Sequence, residues 1–513
     1  MDTLQSSYLE VSFKNLTNIY NSEIVLRLTK RNKIVAISAA IILIISYKIN
    51  NIIRPPRKLL HIPHQGFFNF FLNLLRNEPT IQRAQRYSLP LINSKNSNGL
   101  YSDLFPKVPQ PSSNNSTMLY KFAGSTNMLA SSGGEHWKNQ RMVANPAFHR
   151  SMPVKLFGKL TQQLFQEINK MGPAVNVPDL MGRWTLDAIG KAGFGFNFNA
   201  LSDRDNEWVM RYNNIIKNMI DPLYFMLPAL DVYFLWMLPK RRQAHEELAK
   251  FKDMLRNVIA EGRKKVESGQ TQNENLEENE KDLLTLMLES EIQGEGRMTN
   301  DELEHNINIF FLAGHDTTSN ALSSAICYLA LNTSVQQRAR EEALSILGNE
   351  SRDIIPTIED IKRMEYINQI IKETLRVCGP VPETLPRYSV EDCELVGSFI
   401  PKGTWLTANI YETMHSEKNW KNPLEFNPDR FAPGGEASQQ DLKGMTWVPF
   451  GNGPRQCIGM NFSLTEQRVL LSMLLRKYTW VLPKDSIHKD GLIATGLAMI
   501  GPHNLNVEFT KRY

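Results

Sequence analysis

Between Phe450 and Gly459 the chain reads Phe-Gly-Asn-Gly-Pro-Arg-Gln-Cys-Ile-Gly, a glycine-rich turn that leads into an apolar helical run. Such a turn constrains everything packed around it, because its glycines can take positive φ and lie flat beside a large planar ligand. Backbone N–H groups directed at Cys457 would hold it as a thiolate, the form in which sulfur binds a metal. Arg455 places a cation two residues before it. The alternative is a plain buried cysteine in a strand-to-helix turn, since free cysteine packs as a small hydrophobe. The other residues of the pattern favour the ligand.

A second segment points the same way. Thr299-Asn300-Asp301-Glu302 has the form of a capping box, and a helical pattern follows without proline to about Asn332. The predicted helix is roughly 50 Å long. Ala313-Gly314-His315-Asp316-Thr317-Thr318 lies in its middle. Small residues there permit close approach of a flat ligand, and a carboxylate adjoins two hydroxyls. A mid-helix glycine costs about 1 kcal/mol against alanine, so it implies a packing or functional reason. A Gly/Thr kink would explain the segment if it stood alone.

Together the two segments resemble the cytochrome P450 monooxygenases. Phe450, Gly453, Arg455, Cys457 and Gly459 match the family's F-x-x-G-x-R-x-C-x-G haem loop, and the helix matches its A-G-x-D-T motif. The resemblance implies haem b with Cys457 as the iron ligand. It also implies Asp316 and Thr317 as the proton relay to dioxygen, the threonine opening the helix. His315 occupies the variable position and reads as packing or solvent-facing rather than metal-binding. Glu373-Thr374-Leu375-Arg376 matches the family's E-x-x-R pair, with Arg430 in Phe426-Asn427-Pro428-Asp429-Arg430-Phe431 completing a buried network; Asp429 stands where many relatives carry glutamate. For the haem propionates the matching positions are Trp137 and Arg141 in W-x-x-x-R, Arg387 and Arg455. Lys138 reads as a solvated side chain.

The expected fold is mainly α with small β-sheets, the haem lying between the long central helix and the cysteine loop. Helical periodicity covers 155–171, 205–221, 241–266 and 335–348, and Cys393 to Leu406 reads as a small hairpin. The polar, acidic stretch Val266 to Asp282 reads as a surface loop. At 513 residues, 42% hydrophobic and 22% charged, the chain is ordinary globular material with ample length to enclose a cofactor. A net charge of +5 is too small and dispersed to predict nucleic-acid binding. The four cysteines show neither zinc spacing nor C-x-x-C-H, which excludes c-type haem attachment by that motif.

Three regions follow: a polar segment at 1–32, a membrane anchor at 33–53 and a catalytic domain at 54–513. The stretch Ile34 to Tyr47 is uncharged, and a span needs roughly 17–25 apolar residues, so Ile49, Ile52 and Ile53 would have to join it. An interfacial helix and a signal-anchor core are the other readings. Lysines and arginines balance on its two sides, leaving orientation undecided by charge. Resemblance to microsomal, fungal-like members implies a single-pass endoplasmic-reticulum protein with a cytosolic catalytic domain, and Asn15-Leu16-Thr17 as an available glycosylation acceptor. Gly66 to Leu75 reads equally as a second membrane contact or a core helix.

The reaction the resemblance implies is insertion of one oxygen atom from dioxygen into a lipophilic substrate, a steroid or fatty acid among the candidates. Electrons would come from NADPH through a separate cytochrome P450 reductase, with cytochrome b5 as a further donor, because no complete dinucleotide fingerprint is present. The competing functions are a thiolate-haem isomerase or dehydratase and a non-enzymatic haem sensor or carrier. An intact Asp316-Thr317 pair argues against both. A metalloprotease is excluded because His245-Glu246 lacks the second histidine of H-E-x-x-H.

Overall fold

The protein is described by a computed structural model covering Ala39 and residues 117–513, apart from 130, 132–133, 220, 222, 225–226, 270–277, 295, 440–444 and 497–498. The expected anchor at 33–53 (Ala39 excepted), the Asn15 acceptor, the stretch Gly66 to Leu75 and residues 270–277 of the polar loop lie outside the described residues. Among the described residues no helix is long and apolar enough to cross a membrane.

Twelve helices named here carry the site. They are α1 (Met118–Ala123), α2 (Gly134–Arg150), α3 (Val154–Lys170), α4 (Val177–Ala188), α5 (Glu207–Met219) and α6 (Ala229–Tyr233). After them come α7 (Pro239–Glu267), α8 (Leu283–Ile292), α9 (Asn300–Leu331), α10 (Thr333–Leu347), α11 (Glu365–Cys378) and α12 (Met460–Lys477). The four periodic stretches read from the sequence are α3, α5, α7 and α10, displaced by one or two residues at their ends.

The centre is α9. Its start is fixed by the expected capping box: Thr299 Oγ1 accepts from Glu302 N at 3.2 Å and Glu302 Oε2 accepts from Thr299 N at 2.7 Å. Most of its 32 residues are buried, Asn306 and Asn308 included, as befits a helix packed against neighbours on most sides. Helix α4 packs along it and passes into a π-helical turn, Ile189–Gly193. A Cβ on Gly314 would come within 2.9 Å of Ile189 Cδ1. The mid-helix glycine therefore serves helix packing, and the ligand side of the motif falls to its neighbour Ala313, which is exposed.

Sheets are small and antiparallel. Strand β1 (Ala174–Asn176) and β6 (Tyr478–Val481) flank β9 (Asn506–Lys511), with Val175 opposite Val507 and Trp480 opposite Phe509. The predicted hairpin is β3 (Cys393–Leu395) with β4 (Ser398–Ile400), closed by Val396 and Gly397 at φ 49° and 75°. Two positive φ values give the primed turn that suits strand twist. The sequence reading carried this hairpin on to Leu406. Instead β5 (Trp405–Leu406) pairs with β2 (Arg387–Tyr388), which places Arg387 on a strand. A last pair joins β7 (Ala494–Thr495) to β8 (Gly501–Pro502).

Candidate haem site

Glu373 and Arg376, one turn apart on α11, are both fully buried. Arg376 Nε and Nη2 donate to the two Glu373 oxygens at 2.7 and 2.8 Å, and its remaining hydrogens go to the carbonyls of Met414, Pro423 and Glu425. Glu373 Oε1 also accepts from Asn427 N at 2.9 Å and Arg430 Nε at 3.3 Å. The expected Glu–Arg–Arg network is thus formed, every donor satisfied. Sequence reasoning missed Glu436, which takes Arg430 Nη1. Asp429 stands outside the network on an exposed pair with Arg338. From the same helix the Lys372 carbonyl accepts Trp447 Nε1 at 3.0 Å, and the Trp447 ring meets Phe450 edge-on at 6.2 Å. The buried ion pair is therefore tied through Trp447 to the start of the cysteine loop.

Within that loop Cys457 N donates to the Phe450 carbonyl at 2.9 Å, closing the turn, while Gly451 and Gly453 hold φ of 67° and 70°. A Cβ added at either glycine would meet nothing within 4 Å, so both lie open on one face. The Cys457 side chain is exposed on one side and closely surrounded on the others. Burial pushes its thiol pKa up, whereas the Gly459 N–H and the Arg141 charge favour the thiolate. Helix α12 begins at the next turn and leads away from the sulfur.

Phe148 links the loop to α9. Its ring meets Phe310 at 5.0 Å and Phe462 at 6.5 Å, and its edge lies 3.8 Å from where a Gly459 Cβ would stand. Behind it Thr318 Oγ1 is 3.0 Å from Ser463 Oγ on α12. Ala313 and Thr317 therefore sit on the segment of α9 that these contacts bring against the cysteine loop. Helix α9 runs through this point without a break; the Thr317 hydroxyl donates to the Ala313 carbonyl at 2.6 Å, and the expected opening goes no further than that bond. Thr318 also bonds Glu466, a fully buried carboxyl whose pKa burial pushes well up. Nothing in the local sequence marks Glu466 as acidic core, since its position on a polar-looking turn of α12 reads as surface.

Three cations converge on one edge of the site. Arg455 lies over the Trp137 ring at 4.2 Å and Arg141 over it at 5.9 Å. Arg455 donates to the carbonyls of Met128 and Ser131, Arg141 to Gln456 and Arg387 to Pro386. Burial lowers the pKa of Arg455, and the Arg387 and Arg141 charges lower it further. Among the described residues no carboxylate pairs with any of the three. Like charges held together in this way fit an anionic ligand with carboxylates of its own. Lys138 is exposed and paired with Glu135, as a solvated lysine would be. His315 is buried, which corrects the solvent-facing alternative, and among the described residues no metal-ligand cluster occurs.

The family model for cytochrome P450 matches residues 59–508. The chain belongs to the cytochrome P450 family. It is a P450 monooxygenase, an oxidoreductase whose cofactor is haem. Cytochrome P450 3A12 of Canis lupus familiaris is 27% identical over 370 residues, covering 69% of each chain. LUTEIN DEFICIENT 5, chloroplastic, of Arabidopsis thaliana is 27% identical over 395 residues, covering 75% of this chain and 64% of its own. The crystal structure of the cytochrome P450DA heme domain shares the fold at a TM-score of 0.65 and 23% identity, over 79% of this chain and 82% of that one. The open glycine face, the one-sided exposure of Cys457 and three arginines with no carboxylate partner among the described residues fit such a cofactor.

Proposed function

We propose that Cys457 ligates the haem iron, that Trp137, Arg141, Arg387 and Arg455 hold the propionates, and that Phe450 and Gly459 shape the loop beneath the ring. The observation that carries this reading is the convergence of an open cysteine with three arginines that lack carboxylate partners among the described residues. The bound haem supplies dioxygen activation: one oxygen atom enters a C–H bond of the substrate and the other leaves as water, consuming two electrons and two protons. The protein's part is the thiolate, the positioning and the protons. Thr317 donates its hydrogen to Ala313 and so presents lone pairs to whatever occupies the site. Asp316, partly buried beside it, is the carboxyl placed to pass protons on.

The substrate is a lipophilic small molecule, a steroid or fatty acid being the leading classes. Electrons come from NADPH through a separate cytochrome P450 reductase, with cytochrome b5 as a further donor, and the catalytic domain faces the cytosol from the endoplasmic-reticulum membrane. Support comes from the apolar residues exposed between Leu223 and Met237, including Leu227, Phe234 and Trp236, the last 72% exposed. Buried Asp231 pins this segment: Arg241 pairs with it at 2.6 Å, His245 lies 3.2 Å away and Met118 N donates to it. Burial alone would raise the Asp231 pKa, but these partners hold it well below the usual carboxylate range.

Reconstitution with reductase, NADPH and a panel of steroids and fatty acids is expected to give oxygenated product only when NADPH and dioxygen are both present. Asp316→Asn should cut the rate by about 10²-fold or more while leaving haem content unchanged, the usual scale for removing a positioned acid. Product formed from a peroxide substrate without NADPH, at a rate indifferent to Asp316→Asn, would instead establish the isomerase reading.

A further inference from the structure

Behind Asp316, polar groups meet without the partners their chemistry requires. His315 Nε2 lies 3.0 Å from the Gly182 carbonyl of α4. A carbonyl only accepts, so Nε2 carries a hydrogen, and a neutral ring would then hold a lone pair on Nδ1. Yet Nδ1 stands 2.8 Å from Asp316 Oδ1. The approach is off the axis of an aligned hydrogen bond, and at that distance an unprotonated ring nitrogen and a carboxylate oxygen repel. Among the described residues neither Nδ1 nor Asp316 Oδ2 has a hydrogen-bond partner, although both atoms are buried. One proton resolves the contact, either on Nδ1 as an imidazolium beside a carboxylate or on the carboxyl itself.

No fixed cation competes for this role. Among the described residues Asp316 makes no ion pair with lysine or arginine. Arg183, next to Gly182, is held by Asp179 and the Leu201 carbonyl, and Arg211 on α5 by Glu207 and Glu247. Tyr212 of α5 meets the His315 ring edge-on at 5.3 Å, and burial, then the Asp316 charge, push its pKa well up, keeping the hydroxyl neutral. Glu466, beyond Thr318, is a carboxyl whose pKa burial likewise pushes well up. One turn along α9 from Asp316, Asn320 lines an open polar cleft of about 280 Å³ with Asn176, Thr495, His503 and Asn504. Solvent thus reaches α9 close to the pair.

We propose that His315 and Asp316 hold one proton in common, His315 being a positioning residue through which Asp316 is recharged each time it gives its proton up. The inference rests on the monooxygenase reading above. In the recharging step the Nδ1–H bond breaks and an O–H bond forms on Asp316. The lone pair left on Nδ1 then takes a proton from a hydronium ion of the solvent, which leaves as water, and no electron moves. Gly182 fixes the ring throughout by holding Nε2–H.

The test uses the full-length, haem-loaded protein, reduced and saturated with carbon monoxide, whose C–O stretching frequency reports the local field. His315→Asn keeps an amide near Nδ1 and His315→Gln keeps one near Nε2, and neither side chain titrates. In the wild type the stretch is expected to shift with pH as the shared proton is gained or lost. In both variants it should stay flat, with haem content and the thiolate Soret band unchanged. With reductase and a turnover substrate, the share of NADPH electrons ending in hydrogen peroxide should rise several-fold in both. A wild-type stretch that ignores pH overturns the shared proton even if neither variant folds. So do variants with wild-type pH dependence and peroxide yield. A wild type lacking the thiolate Soret band would sink the underlying haem assignment instead, a distinct result.

Discussion

Arg376→Ala is expected to leave most of the protein without haem and to lower its stability by about 3–5 kcal/mol, the cost of stranding a buried charge. The size follows from the surroundings. Glu373 is fully buried and would keep only Arg430 and the Asn427 N–H, and three carbonyls, of Met414, Pro423 and Glu425, would lose their donor together. A loss on this scale is a large part of a folded domain's usual margin of about 5–15 kcal/mol. Glu373→Gln should behave similarly, since it unbalances two buried guanidinium groups. Arg338→Ala removes an ion pair in which both side chains are about half exposed and should cost about 1 kcal/mol or less. Denaturant unfolding of the three variants, with haem content measured in parallel, checks the ranking. Equal losses for Arg376→Ala and Arg338→Ala would contradict the buried network as the support of the cysteine loop.

Cys457→Ser is expected to abolish oxygenated product while sparing the fold. The loop's closing bond runs from Cys457 N to the Phe450 carbonyl and does not involve the sulfur. The positive-φ glycines and the start of α12 are also independent of the side chain. On the proposed assignment, what the substitution removes is the electron-donating thiolate that favours O–O cleavage. Thermal unfolding close to wild type with no product above background is the predicted pair of results. Product formation at the wild-type rate would show that oxygen activation does not depend on this cysteine.

The features legible in the sequence were those written in short spacings. The capping box at Thr299, the i and i+3 placement of Glu373 and Arg376 and the Val396-Gly397 turn are local, so residue order alone reveals them. Features made by contact between distant segments were hidden. Gly314 reads as room for a flat ligand until Ile189 of the π turn arrives against it. His315 sits at a position the A-G-x-D-T pattern leaves free, and its role depends on a carbonyl at Gly182. Trp405 and Leu406 continue an alternating pattern that suits the hairpin, but their pairing with Arg387 and Tyr388 is settled by tertiary packing. Glu466 looks like solvent-facing helix and is instead enclosed by the packing of α12 on α9.

The central claim is that Cys457 binds haem iron as a thiolate. The carbon monoxide difference spectrum of the dithionite-reduced, full-length protein tests it most directly. A Soret band at the long wavelength characteristic of thiolate ligation, lost in Cys457→Ser, is the predicted result. A band at the shorter wavelength of a nitrogen-ligated or weakly ligated haem, in wild-type protein shown to be folded, would contradict it.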